Sequence, residues 1–324
     1  MLARLLVVLA VATLSLDTFA GPSLRNGEGF AISSGVKIWY RVEGASRPGV
    51  PILIIHGGPG ETARPFERTI GPLLALSRPV IYTDYRGAGR SDRPAAAAAY
   101  SFDQLADDQE AIRKKLGIAN WAVFGHSNGA ATAVTYALRH PGATRALVLC
   151  GPLLSPRDLE ANMANKVAYA RPGERERVRA VFQSGESLQK RFEAIFGALE
   201  PGWQARMMAH NPAGYDLLEA MQAELRQELG GKSLMAPQLV AGLFESGFFT
   251  FDAFAHAQKL KMPILVLVGR VDKELSIDNS VLFSASVPDG RLVAVEDAGH
   301  FPYIEAPAPT LSAIETFLEG LPKG

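Results

Sequence analysis

The stretch from Trp121 to Leu138 constrains this chain more than any other. An apolar run, Trp121-Ala122-Val123-Phe124, leads into Gly125-His126-Ser127-Asn128-Gly129, and a small-residue helical stretch follows from Ala130. Strand, Gly-x-Ser-x-Gly turn and helix are the context in which a serine is held on a sharp, strained corner. The flanking glycines let strand and helix approach without Cβ clashes. The hydroxyl then projects from the C-terminal edge of a sheet, where a base can reach it. Among 31 glycines, the pentapeptide alone fits an ordinary glycine-rich turn with a solvated serine equally well.

Three further runs remove that ambiguity by their order. Pro51-Ile52-Leu53-Ile54-Ile55 reads as a buried strand and ends in His56-Gly57-Gly58-Pro59-Gly60. Pro263-Ile264-Leu265-Val266-Leu267-Val268 ends in Gly269-Arg270-Val271-Asp272. Arg291-Leu292-Val293-Ala294-Val295 precedes Asp297-Ala298-Gly299-His300-Phe301-Pro302. Acyl-transfer sites of this architecture run serine, acid, histidine along the chain, here Ser127, Asp272 and His300. A serine hydroxyl is a poor nucleophile at neutral pH and needs a base. His300 is the only one of the six histidines that follows Asp272. Asp272 would fix its tautomer and stabilise the imidazolium. Asp278 and Asp297 are fallback acids, less well placed with respect to a strand end. The backbone N–H groups of Asn128 and Gly58 are the expected oxyanion donors.

These runs resemble the α/β-hydrolase superfamily over nearly the whole chain after residue 30. The His-Gly-Gly-Pro-Gly run is similar to that of the proline iminopeptidase branch, serine aminopeptidases with a helical cap. Asp84-Tyr85-Arg86-Gly87-Ala88-Gly89-Arg90-Ser91-Asp92 resembles a loop common to capped members of the superfamily. The resemblance implies release of N-terminal residues from short peptides, and a cis Gly58-Pro59 bond. The elbow departs from the branch, whose usual form is Gly-Gly-Ser-Trp-Gly. The branch holds the substrate amine with cap glutamates. Of Glu219, Glu224, Glu228 and Glu245, the first three read as a solvated helix face. Glu245 interrupts the aromatic run Leu243-Phe244-Glu245-Ser246-Gly247-Phe248-Phe249 and is expected to face the pocket.

Bulk properties narrow the partners. The formal net charge is zero and the isoelectric point is about 7.0. Neither nucleic acid nor an anionic membrane is favoured by such a balance. The single cysteine, Cys150, excludes an intrachain disulfide and a multi-cysteine metal site, and no metal or cofactor is expected. His126 adjoins the nucleophile but should point away from it. His56 is expected to brace the oxyanion loop.

Arg4 followed by the apolar stretch Leu5–Leu16 and Thr18-Phe19-Ala20 reads as a signal peptide over residues 1–20. Periplasmic or secreted placement follows, with an uncleaved anchor as the alternative. Apolar strands alternating with helices predict an α/β fold, with a mostly parallel sheet covered on both faces. That rhythm lapses between Cys150 and Pro263. The expected organisation is a hydrolase core over 21–152 and 259–324, with a helical cap inserted over 153–258. The function expected is serine hydrolysis of a small molecule or short peptide. A carboxylesterase or lactonase is the alternative, and a non-catalytic binding protein on the same scaffold is a third. Oligomeric state is not encoded in any pattern here.

Overall fold

The computed structural model describes residues 24–58, 61–200 and 202–322. The expected leader over residues 1–20 and the Gly58-Pro59 bond lie outside them.

Strands β1 (Gly27–Ser33) and β2 (Val36–Glu43) form a hairpin. After β3 (Ile52–Ile55) come two short helices, α1 (Arg64–Arg68) and α2 (Ile70–Leu74). The chain continues through β4 (Val80–Thr83), α3 (Phe102–Leu116), β5 (Trp121–His126), α4 (Asn128–Arg139) and β6 (Thr144–Cys150). A helical segment follows: α5 (Pro156–Tyr169), α6 (Pro172–Phe182), α7 (Leu188–Ala198), α8 (Trp203–Met208), α9 (Pro212–Glu228) and α10 (Pro237–Ser246). Then come β7 (Ile264–Gly269), α11 (Ile277–Ser286), β8 (Gly290–Val295), α12 (Pro302–Glu305) and α13 (Pro307–Glu319).

The strands form one eight-stranded sheet in the order β1-β2-β4-β3-β5-β6-β7-β8. Only the β1–β2 and β2–β4 pairings are antiparallel. Strands β3 to β7 are buried at nearly every position because helices cover both faces. Side chains alternate between those faces. Ile52, Ile54 and Phe124 pack with Phe66, Ile70 and Phe317 on one side. Leu53, Ile55 and Val123 pack with Leu105, Ile112 and Val134 on the other. Fully burying each such side chain contributes about 1.5–3 kcal/mol. Cys150 belongs to the first layer, where burial pushes its thiol pKa up.

The sequence pattern does not reveal β1. Its large apolar residues face outward, with Phe30 45% and Ile32 61% exposed, while Ala31 and Ser33 face in. The turn Ser34-Gly35, with φ of 50° and 77°, was the available signal, since hairpin turns with two positive φ values favour glycine. Helix α3 is capped at its start by Ser101, whose Oγ accepts from the Gln104 N–H at 3.1 Å.

Two helices of the segment between β6 and β7 are bonded to the loops of the sheet. On α5, Asn162 Nδ2 donates to the Glu274 carbonyl at 2.8 Å and Asn165 Nδ2 to the Lys273 carbonyl at 2.9 Å. Lys166 Nζ, fully buried, lies 3.2 Å from Glu274 Oε2 and sits over the rings of Phe196 and Trp203. Asp158 accepts from the Leu154 and Ser155 N–H groups and from Asn279 Nδ2. On α9, Gln222 Oε1 accepts from Thr62 Oγ1 at 2.8 Å, and Glu224 and Glu228 pair with Arg64 and Arg68.

Candidate active site

Ser127 occupies the corner between β5 and α4 with φ 52° and ψ −122°. A side chain rarely adopts a positive φ, so the surrounding structure must enforce it. The enforcement is steric. A Cβ at Gly125 would lie 2.5 Å from the Gly129 carbonyl oxygen, and one at Gly129 would lie 2.4 Å from that of His56. Strand, helix and the loop after β3 therefore meet at distances that only glycine permits. The Ser127 N–H donates to the Cys150 carbonyl at 3.0 Å, and the Leu153 N–H donates to the Ser127 carbonyl at 3.1 Å. The corner is thereby tied to the turn that follows β6.

The imidazole of His300 lies against the same turn. A Cβ at Gly151 would come within 3.2 Å of its Nδ1 and 3.3 Å of its Cε1. His300 Nδ1 is 2.9 Å from Asp272 Oδ2. The other carboxylate oxygen of Asp272 accepts from the Glu274 and Leu275 N–H groups at 2.7 and 3.1 Å, which fixes the plane of the acid. His300 Nε2 is buried and has no hydrogen-bond partner among the described residues. Burial pulls the His300 pKa down, but Asp272, Glu274 and Glu61 push it up, and the outcome lies above an ordinary histidine. The fallback acids Asp278 and Asp297 are both exposed.

Gly58, Ser127 and Asn128 all line one cavity. Gly58 has φ 112°, open only to glycine. Asn128 opens α4, so its N–H has no acceptor within the helix. His56 holds the loop in place: Nδ1–H donates to the Gly57 carbonyl at 2.8 Å, and Nε2 accepts from the Tyr85 N–H at 3.1 Å. The Asp84–Asp92 loop is a second brace. Asp84 accepts from the Ala63 N–H at 2.8 Å and from Arg90 Nε at 2.6 Å. Arg86 grips Asp108 through two hydrogen bonds of 2.6 and 2.7 Å.

The cavity has a volume of about 530 Å³. Its wall comes largely from the segment between β6 and β7, with Phe192, Phe196, Trp203, Phe244 and Phe248 on the apolar side. The carboxylates of Glu61, Glu193, Glu219 and Glu274 also line it.

Glu245 does not. It is exposed on α10, whereas Val240, Phe244 and Phe248 line the cavity. Successive helical residues point about 100° apart, so an aromatic neighbour in sequence does not share its face. Glu219 is exposed, as expected of a solvated face, and it also belongs to the cavity stripe Tyr215, Leu218, Glu219, Gln222 and Arg226. That spacing of three and four residues was visible in the sequence. Glu61 escapes the sequence pattern altogether, because a lone glutamate in a glycine-proline loop has no periodicity to place it. His210 and His256 are exposed and stand off the cavity.

Comparisons with known proteins agree with this architecture. A family model described as alpha/beta hydrolase fold matches residues 50–307. A proline iminopeptidase of Heyndrickxia coagulans is 26% identical over 304 residues, covering 91% of this chain and 99% of that protein. The crystal structure of a proline iminopeptidase-related protein from Thermus thermophilus superposes with a TM-score of 0.75 at 22% identity, covering 92% of this chain and 99% of that one. A thermophilic esterase from Thermogutta terrifontis gives a TM-score of 0.64 at 23% identity, with 92% and 99% covered. The chain is a hydrolase and belongs to the alpha/beta hydrolase fold family.

Proposed function

We propose that Ser127, His300 and Asp272 act together in acyl transfer, releasing N-terminal residues from short peptides in the manner of a proline iminopeptidase. Ser127 Oγ attacks the carbonyl carbon while His300 Nε2 takes its proton, and the proton then passes to the leaving amine. Asp272 orients the ring through Nδ1–H. The N–H groups of Asn128 and Gly58 receive the oxyanion, where one donor is worth about 3 kcal/mol of barrier. Water then hydrolyses the acyl-enzyme by the same groups in reverse. The helical segment acts as the cap that closes over the substrate.

The observation that carries this reading is the pairing of His300 with Asp272 at 2.9 Å beside a serine corner with φ 52°. The four cavity carboxylates support a substrate with a free amine, since a buried ammonium is costly unless paired. The aromatic wall favours a second reading, hydrolysis of small apolar esters.

A fluorophosphonate should label Ser127 covalently. Proline arylamide and short-chain p-nitrophenyl esters should then be compared on the purified protein. Turnover of the ester alone would remove the peptidase reading, and absence of labelling would remove both. Residues 1–20 are proposed as an export leader, checked by the N-terminal residue of the mature protein.

A further inference from the structure

The edge of the sheet opposite Ser127 carries an arginine that no neighbour neutralises. Strands β3 to β7 all begin at this edge, and β5 separates Asn120 from Ser127 by about 20 Å at 3.3 Å per residue. Arg78 precedes β4 and is only 3% exposed. The loop before β3 presses on it: the Gly49 N–H donates to the Ser77 carbonyl at 3.2 Å, and a Cβ at Gly49 would lie 2.8 Å from Arg78 Cβ. Arg78 Nε is buried with no hydrogen-bond partner. Among the described residues no carboxylate forms an ion pair with this guanidinium. Glu315 and Glu319 of α13 attract it only from a distance, and Glu315 is engaged by Ser77 Oγ at 3.2 Å. The Nη atoms, unlike Nε, reach the surface, and Arg78 lines a groove of about 440 Å³.

A charge held out of water without a counter-charge is costly, and an anion arriving through the groove would remove that cost. The walls of the groove decide which anion. They come from Val50 before β3, Arg78 before β4, Asn120 before β5, Arg145 in β6, and Leu318 and Glu319 of α13. The four strands are neighbours in the order β4-β3-β5-β6, about 4.8 Å apart, so the groove runs about 14 Å along the edge. A compact ion would meet Arg78 and leave the rest of that length empty. Val50 and Leu318 offer apolar contact along it. Glu319 repels a second negative charge. Arg145 already donates to the Pro322 carbonyl, which leaves Arg78 as the cation to be satisfied.

We propose that this groove binds a monocarboxylate bearing an extended aliphatic chain, with the carboxylate on Arg78 and the chain against Val50 and Leu318. The two Nη groups of a guanidinium form a planar fork that matches two carboxylate oxygens. No covalent step is involved. Hydrolysis of an ester or amide yields a carboxylate, so the ligand belongs to the class of product that a hydrolase releases. The site lies at the far edge of the sheet and does not depend on the reading of Ser127.

Two measurements test it. In the first, an octanoate carrying a diazirine at its chain end is photolysed with the purified protein, and the labelled peptides are identified by mass spectrometry. Label should fall on the peptides bearing Val50 or Leu318, and unmodified octanoate should displace it. Arg78→Met, which keeps an unbranched apolar stem, should raise the half-saturating concentration for that label about 10- to 100-fold, the worth of one hydrogen bond to a charged group. Label confined to peptides of the catalytic cavity overturns the proposal. So does a half-saturating concentration within about twofold of the original, or displacement by inorganic phosphate as effective as by octanoate. The second measurement is the urea midpoint without ligand. Arg78→Met should unfold at no lower urea than the original, because the charge it removes has no partner. A lower midpoint, or failure to fold, would show that the chain itself compensates Arg78 and would overturn the site.

Discussion

At the rim of the sheet, backbone geometry decides where each functional group sits. Ser127 is fixed by close backbone approaches that leave no room for a Cβ at Gly125 or Gly129, and Asp272 by two N–H donors from its own loop. In the helical layer above, position is decided by side chains: Lys166 reaching Glu274, Gln222 reaching Thr62, an aromatic wall filling the space between. The rim has little freedom to vary without losing chemistry. The layer can change its wall residue by residue and alter only what is bound. This division explains how one scaffold serves iminopeptidase-like and esterase-like relatives with similar folds.

The contrast breaks most visibly at the rim. Asp272→Asn should lower kcat/KM about ten-thousand-fold for every substrate, since His300 loses its tautomer and its charge partner. The pH profile checks the cause. On the proposed mechanism His300 must be neutral to act as a base, so activity should fall as pH drops through its raised pKa. Removing the Asp272 charge should move that acid limb to lower pH. An unmoved limb would show that another group controls it.

A smaller effect is expected where layer and rim meet. Lys166→Met leaves Glu274 half-stranded, because the side chain is only 12% exposed. Loss of one partner of a buried pair costs about 3 kcal/mol, read as a lower midpoint in urea. Glu274 shares its loop with Asp272, so the variant should also lower kcat for neutral and amine substrates alike. The smallest effect belongs to the layer itself. Gln222→Leu removes one buried hydrogen bond to Thr62 and should cost about 1 kcal/mol in stability. It should change KM and substrate preference but not the fluorophosphonate labelling rate. A large loss of labelling would mean that α9 also positions the oxyanion loop.

The same division governs what can be read from the amino acids. Strands buried on both faces read as unbroken apolar runs, so Ile52–Ile55, Trp121–Phe124 and Ile264–Val268 are legible. The glycines around Ser127 are legible because a steric rule demands them. Asp272 and His300 follow from the ends of strands. β1 is hidden because its apolar residues face outward. Glu61 is hidden because its environment is made by residues far away in sequence, His126 and the helix bearing Gln222. Glu245 is misleading because an aromatic setting along the chain is not an aromatic face, which on a helix requires residues three or four apart.

The bonds from Asn162, Asn165 and Lys166 to the loop of Asp272, and from Gln222, Glu224 and Glu228 to the stretch Thr62–Arg68, have an engineering consequence. Chimeras that transplant this helical segment between homologues to redirect specificity must carry its anchoring partners along with it. A graft lacking Thr62, Arg64, Glu274 and Asn279 or their equivalents would arrive with buried charges uncompensated, and its failure to turn over would say nothing about the donor's selectivity.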